Sequence, residues 1–229
     1  MVWIPGGTFL MGSDHHYAEE ASAHRVTVDG FWMDQYLVTN AQFQKFVKAT
    51  GYVTFAERPA NPEDYPSARP EMLQPSSCVF VKPDRLVDKG NHYPKGKMMA
   101  NTWQGEFPWE NLKTDGYERT SRVASFPANG YRLYDMIGNV WEWTTDWYQE
   151  HNWMRQDSCC GTLVNPRGGD REASYDPQTP GIKIPRKVIK GGSFLCAPSY
   201  CRRYRPPARM AEPLDTSTCH LGFRLIVRP

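Results

Sequence analysis

Apolar and polar positions alternate only in short bursts along this chain, and turn residues separate the bursts. The pattern predicts many short strands in place of long regular elements. Gly7-Thr8-Phe9-Leu10-Met11-Gly12-Ser13 reads as a strand closed by glycine. Arg25 to Val28 and Phe31 to Met33 read as two more, and Asp29-Gly30 between them predicts a hairpin turn. The period then changes. Thr39 suits a helix N-cap, Gln42 three residues on can close a capping box, Phe43, Phe46 and Val47 share one face, and Gly51 is placed to end the helix.

Arg58 to Pro75 and about Lys82 to Lys97 are polar or proline-rich without periodicity and read as surface loops. Runs at Tyr131 to Trp147, Lys187 to Leu195 and Leu221 to Val227 predict strands of a small mixed sheet. No internal repeat is visible, and no apolar run approaches the roughly 18 residues of a membrane span.

Composition narrows the class. With 229 residues, 40% of them hydrophobic, one domain over residues 1–229 can bury a sizeable core. Its 8 Trp, 12 Tyr, 19 Pro and 18 Gly favour packed aromatics and many turns. A net charge of +2 provides no electrostatic case for nucleic acid or an anionic membrane as partner. The first residues, Met1-Val2-Trp3-Ile4-Pro5, lack the basic-then-apolar pattern of an export signal, so a soluble cytoplasmic protein with reduced thiols is expected.

Under reducing conditions, clustered cysteines point first to metal or redox chemistry. Of Cys78, Cys159, Cys160, Cys196, Cys201 and Cys219, the pair Cys196 and Cys201 flanks a proline-containing turn just after a predicted strand. Two nearby thiolates suit a soft, low-coordinate ion such as Cu(I), whereas structural zinc takes four ligands and no second pair is spaced to supply them. Arg202, Arg203 and Arg205 would favour the thiolate form. A structural disulfide or two unrelated core thiols account for the spacing equally well. Adjacent Cys159 and Cys160 could bridge only with strain and receive no role.

Two oxygen-rich segments suit calcium. Asp135 and Glu142 frame Gly138 in Tyr134-Asp135-Met136-Ile137-Gly138-Asn139-Val140-Trp141-Glu142-Trp143, and Asn101 with Asp115 bounds a loop through Gln104, Gly105 and Gly116. Neither is an EF-hand, and solvated loop carboxylates are the commoner explanation of such spacing. His15, His16, His24, His92, His151 and His220 show no metalloprotease spacing, and no G-x-S-x-G elbow appears.

Taken together, V-W-I-P-G-G-T-F-L-M-G-S, V-T-N-A-Q-F, A-N-T-W-Q-G-E-F-P-W, F-P-A-N-G-Y-R-L-Y-D-M-I-G-N-V-W-E-W, K-G-G-S-F-L-C-A-P-S-Y-C-R-R-Y-R and H-L-G-F-R resemble the formylglycine-generating enzyme and sulfatase-modifying-factor family, in order and toward both ends. The resemblance implies a mixed, loop-rich α/β domain with little regular secondary structure, related in shape to C-type lectins. It makes Cys196 and Cys201 the ligands of one Cu(I), and Ser193, Tyr200 and Trp141 the lining of the active site. It implies two structural calcium sites, one on Asn101, Thr102, Asp115 and Tyr117, the other on Asp135, Gly138, Val140 and Glu142. The implied reaction oxidises the cysteine of a C-x-P-x-R segment in an unfolded sulfatase, using O2 and a thiol reductant, in a monomeric oxidoreductase. A substrate Cβ hydrogen is removed, and the thioaldehyde hydrolyses to formylglycine and sulfide.

One departure stands out. Between Cys78-Val79-Phe80-Val81 and Met99-Ala100-Asn101-Thr102 only a short polar link remains. Relatives carry a longer stretch there with a W-A-G-K-R-L-P-T-E-A-E-W-E-like helical segment. Its loss should expose core surface on its former partners. That shortening motivates a second reading, a non-catalytic peptide- or carbohydrate-binding module of the same fold. A non-haem iron oxidase is a third, and it would need clustered histidines.

Overall fold

The computed structural model describes residues 1–84, 98–150 and 162–229. Among these residues, ten short strands form three small sheets and one α-helix stands against them. Strand β1 (Val2–Ile4) pairs antiparallel with β4 (Phe31–Met33), which also pairs with β10 (Ile226–Val227), so the two ends of the chain share a sheet. Strand β2 (Gly7–Met11) pairs antiparallel with β3 (His24–Val28), and β6 (Leu163–Val164) joins β3 in parallel. The largest sheet runs β8 (Met210–Pro213), β7 (Arg186–Lys190), β5 (Trp141–Trp147), β9 (Leu221–Gly222), with β5 and β9 parallel.

Strands β2, β3, β4, β5 and β7 fall on the apolar runs, but residues 131–140 form no strand, the run from Leu221 to Val227 is divided between two sheets, and the predicted hairpin does not form. Strands β3 and β4 lie in different sheets, and Asp29-Gly30 carries the chain between them. Two interactions divert it. Asn165 accepts from the Asp29 backbone N–H at 2.8 Å and donates its amide to the Asp29 carboxylate at 2.7 Å, fastening the corner to β6. At Gly30 the Trp3 ring lies so close that a Cβ would meet it at 2.2 Å, so a side chain here would have to push that partly exposed ring aside.

Helix α1 (Asn40–Thr50) is the one the sequence predicts. Thr39 Oγ1 accepts from Gln42 N at 3.3 Å, Gln42 Oε1 accepts from Thr39 N at 2.9 Å, and Gly51 closes the helix in the left-handed region. None of its residues is buried. Phe43 meets Phe223 edge-on at 6.2 Å, while Phe46 and Tyr52, 5.5 Å apart, remain 46% and 44% exposed. The loop from Arg58 to Pro75 contains a short 3-10 turn at Pro70–Leu73. Most of the polar stretch to Lys97, His92, His151, Cys159 and Cys160 lie outside the described residues.

A buried cluster lies against the largest sheet. Trp141, Ile189, Cys196 and Cys201 form one buried cluster, with Trp143, Tyr204, Met210 and Leu221 packed on it. The sheet therefore presents the cysteine pair from its interior.

Candidate active site

Strand β7 delivers the chain to Gly191 and Gly192, both at positive φ. At Gly192 the returning chain passes so near that a Cβ would lie 2.8 Å from the Tyr204 backbone. The segment between is thus pinched into a closed loop. Within it, Cys196 N donates to Ser193 O at 2.9 Å and Cys201 N to Ala197 O at 2.8 Å. These successive turns bring the two sulfurs to 3.3 Å, both buried. The five-residue spacing alone left this pairing undecided, and the closed loop supplies the contact.

Ser193 is fully buried and wraps Cys196. Its N–H points at the Cys196 sulfur at 3.5 Å, and its Oγ accepts from Leu195 N at 3.2 Å. Trp141 backs the sulfurs from β5. The pair shares a proton asymmetrically. A hydrogen bond from Cys196, then the backbone and guanidinium of Arg203, pull the Cys201 pKa down. The same sulfur contact and burial push Cys196 up. The contact therefore favours the charged form at Cys201 over that at Cys196.

Of the three arginines expected to act on the thiols, only Arg203 does so directly. Arg202 donates to Pro198 O at 2.9 Å. Arg205 is clamped to Glu20, a carboxylate with no exposed surface. Arg203 is itself held by Glu19 at 2.6 Å and stacks over the Tyr17 ring at 4.1 Å. A short turn near the N-terminus thus fixes the electrostatics of a loop almost two hundred residues away.

Tyr200 faces outward, half exposed, and stacks on Phe107 with ring centroids 4.3 Å apart and planes 11° apart. Phe107 in turn meets Trp103 edge-on at 5.1 Å and Phe80 at 5.9 Å. Trp103 N donates to Cys196 O at 3.1 Å, tying this aromatic column to the cysteine loop. Spacing gave no reason to single out Phe107. Its only signal was a place within the A-N-T-W-Q-G-E-F-P-W segment.

The oxygen-rich segments converge on the same loop. Gly138 N donates to Gly191 O at 2.8 Å, Phe194 N to Asn139 O at 2.9 Å and Asn139 N to Asn101 O at 2.7 Å. A Cβ on Gly138 would sit 2.2 Å from Asn101 O, so glycine is required for this approach.

In the first set, Asp115 accepts from Thr102 N at 3.2 Å, Tyr117 N at 2.9 Å and Gln104 Nε2 at 2.8 Å. Among the described residues no basic side chain forms an ion pair with it, and burial pushes its pKa up. Oxygen donors of this kind suit a hard cation, and here the Asp115 carboxylate already accepts three N–H bonds while Thr102 O accepts from Gln104 Nε2.

The second set differs. Asp135 accepts from Ala124 N at 2.9 Å. Both oxygens of Glu142 are held at 2.7 Å by Arg224, which also donates to the carbonyls of Tyr134 at 2.9 Å and of Asp34 and Gln35 at 3.3 Å. A calcium ion would have to share Glu142 with this guanidinium, so this set fits the ion less well than the first. Arg224 is the last residue of the closing H-L-G-F-R motif, and composition and spacing gave it no role.

Comparison with known proteins decides the ancestry of this arrangement. The sulfatase-modifying factor enzyme 1-like domain matches residues 1–85 and 84–229. The chain belongs to that family. The formylglycine-generating enzyme of Mycobacterium tuberculosis is 35% identical over 304 residues, covering 100% of this chain and 98% of that protein. The mouse formylglycine-generating enzyme is also 35% identical, over 98% of this chain and 74% of that protein. Mouse inactive C-alpha-formylglycine-generating enzyme 2 is 28% identical, over 98% and 84%. Among solved structures, PvdO from Pseudomonas aeruginosa superposes with a TM-score of 0.63 at 21% identity, over 98% of this chain and 92% of that one, showing the shared fold.

Alignment over 304 residues against a chain of 229 means that this family member lacks a long stretch of its relatives. The two matched segments meet at Asp84 and Arg85, inside the short link identified from the sequence.

Proposed function

We propose that this chain is a formylglycine-generating oxidase, converting the cysteine of a C-x-P-x-R segment in sulfatases to formylglycine with O2 and a thiol reductant. The observation that carries this reading is the buried Cys196–Cys201 pair at 3.3 Å. Among the described residues no group of three or more His, Cys, Asp or Glu side chains gathers to hold a metal. Two soft donors, one already biased to thiolate, are the set that suits Cu(I) and leave room for a substrate sulfur as a further ligand. When bound, copper would supply the oxygen-activating chemistry.

The chain's own residues do the rest. The hydrogen bond from Cys196, with Arg203 beside it, favours the charged form of Cys201, Ser193 fixes the Cys196 sulfur from the backbone side, and Trp141 excludes water behind the pair. The Tyr200–Phe107 stack provides an exposed aromatic edge against which an extended peptide can lie beside the sulfurs. Asn101, Thr102, Asp115 and Tyr117 would hold one structural calcium that stiffens the loop beneath the site. A second calcium at Asp135, Gly138, Val140 and Glu142 would compete with Arg224. Cytoplasmic location and a monomeric state complete the reading.

The test is mass spectrometry of a C-x-P-x-R peptide incubated with the protein, Cu(I), O2 and a thiol, beside Cys196→Ser and Cys201→Ser. Conversion of the peptide cysteine to an aldehyde, falling to below about 1% of the parent rate in either variant, is expected. Folded, copper-loaded protein that binds the peptide without converting it favours the second reading, a non-catalytic binding module. The shortened centre and the named inactive relatives motivate that alternative.

A further inference from the structure

A cavity of about 500 Å³ lies between the chain-terminal sheet and β5, and neither cysteine lines it. Phe31, Met33, Met136, Ile137, Trp143 and Ile226 supply apolar wall. The size is that of a pocket for a small organic ligand.

Its wall also carries three cations: Arg224, paired with Glu142, the exposed Arg228, and Lys190. The ammonium donates to the carbonyls of Pro206 at 2.9 Å and Ala208 at 2.7 Å, which satisfies two of its three protons but offsets none of its charge. No carboxylate forms a salt bridge with it among the described residues. Glu142, on the same wall, is committed to Arg224, and Glu20, the carboxylate whose field reaches Lys190, is committed to Arg205. The field of Asp146, also on the wall, falls on Lys187 and Arg209. Desolvation, with Arg209 adding like charge, presses the Lys190 pKa down to about 8, as expected for a buried cation short of counter-charge.

We propose that this cavity binds a small apolar carboxylate, its hydrocarbon or aryl body against Trp143, Met136 and Phe31 and its carboxylate on Lys190. An anion there would supply the missing counter-charge and accept the third ammonium proton. A cationic ligand of the same shape would meet like charge, and a neutral one would leave Lys190 uncompensated. This inference stands apart from the oxidase reading, because it needs neither metal nor peptide.

The test is calorimetric titration of the whole protein with 4-phenylbutyrate, 4-phenylbutanol and 4-phenylbutylamine, which share a body and differ in charge. One saturable site for the carboxylate is expected, with at least tenfold weaker binding of the amine and intermediate binding of the alcohol. In Lys190→Met the carboxylate should lose at least tenfold in affinity and the alcohol should be nearly unaffected. Equal binding of all three probes to the parent, as at any exposed apolar patch, overturns the proposal. So does a folded Lys190→Met that keeps the preference for the acid. The three-probe comparison on the parent decides the matter even if the variant does not fold.

Discussion

The cysteine loop and helix α1 are built in opposite ways. The loop has almost no regular structure, yet its sulfurs are buried and its backbone is bonded to segments starting at Trp103, Asn139 and Tyr17. The helix is regular, capped at both ends by its own residues, and buries nothing. Order in the loop is imposed from a distance, whereas order in α1 is written locally. The difference also has a direction. The packed loop buries Ser193, Cys196 and Cys201, and the region of α1 exposes Phe46, Tyr52, Val53 and Phe55.

The sharpest way to break that contrast is to cut one long-range tie and one exposed contact and compare the costs. Arg224→Met removes the partner of Glu142 and leaves a carboxylate stranded in a buried setting where the arginine side chain is 2% exposed. Destabilisation of about 3–5 kcal/mol is expected, enough to unfold a marginal domain. Phe46→Gln on α1 should change stability by no more than about 0.5 kcal/mol. Urea unfolding of both variants checks the pair. Similar costs would mean that α1 is covered in solution and that the two sides are not built differently.

The same contrast explains what could be read from the chain. Thr39, Gln42 and Gly51 announce α1 because each acts on backbone within four residues of itself. Strands β3 and β4 were visible from their alternation, but their partners were not. The choice between a hairpin and two sheets depends on Asn165, more than a hundred residues on. At the site, the residue types Cys196 and Cys201 were legible. Their contact was not, because it depends on Gly192 letting Tyr204 pass. The three arginines looked equivalent in sequence, and only Glu19 and Glu20 sort them. A local device should also carry a local cost. Thr39→Ala removes one half of the capping box and should lower stability by about 1 kcal/mol. Helical ellipticity near 222 nm should fall slightly, and peptide conversion should be unchanged. A loss of activity would show that α1 is coupled to the cysteine loop.

The smallest expected effect lies at the edge of the packed side. His220 and Phe194 meet edge to face at 6.4 Å, the His220 carbonyl accepts from Trp141 N at 2.8 Å, and its buried Nδ1 has no hydrogen-bond partner among the described residues. Burial holds its pKa below the usual value of about 6.5. The unfolded chain therefore takes up the proton at a higher pH than the folded one. The stability tied to neutral His220 is complete above about pH 6.5 and is lost as pH falls toward the lower folded value. His220→Phe keeps an apolar ring against Phe194 and removes the titration. The urea midpoint of the parent should drop slightly more than that of the variant between pH 7.5 and 5.5. Parallel pH profiles would mean that water reaches Nδ1, and that this edge of the cysteine loop is as open as the face of α1.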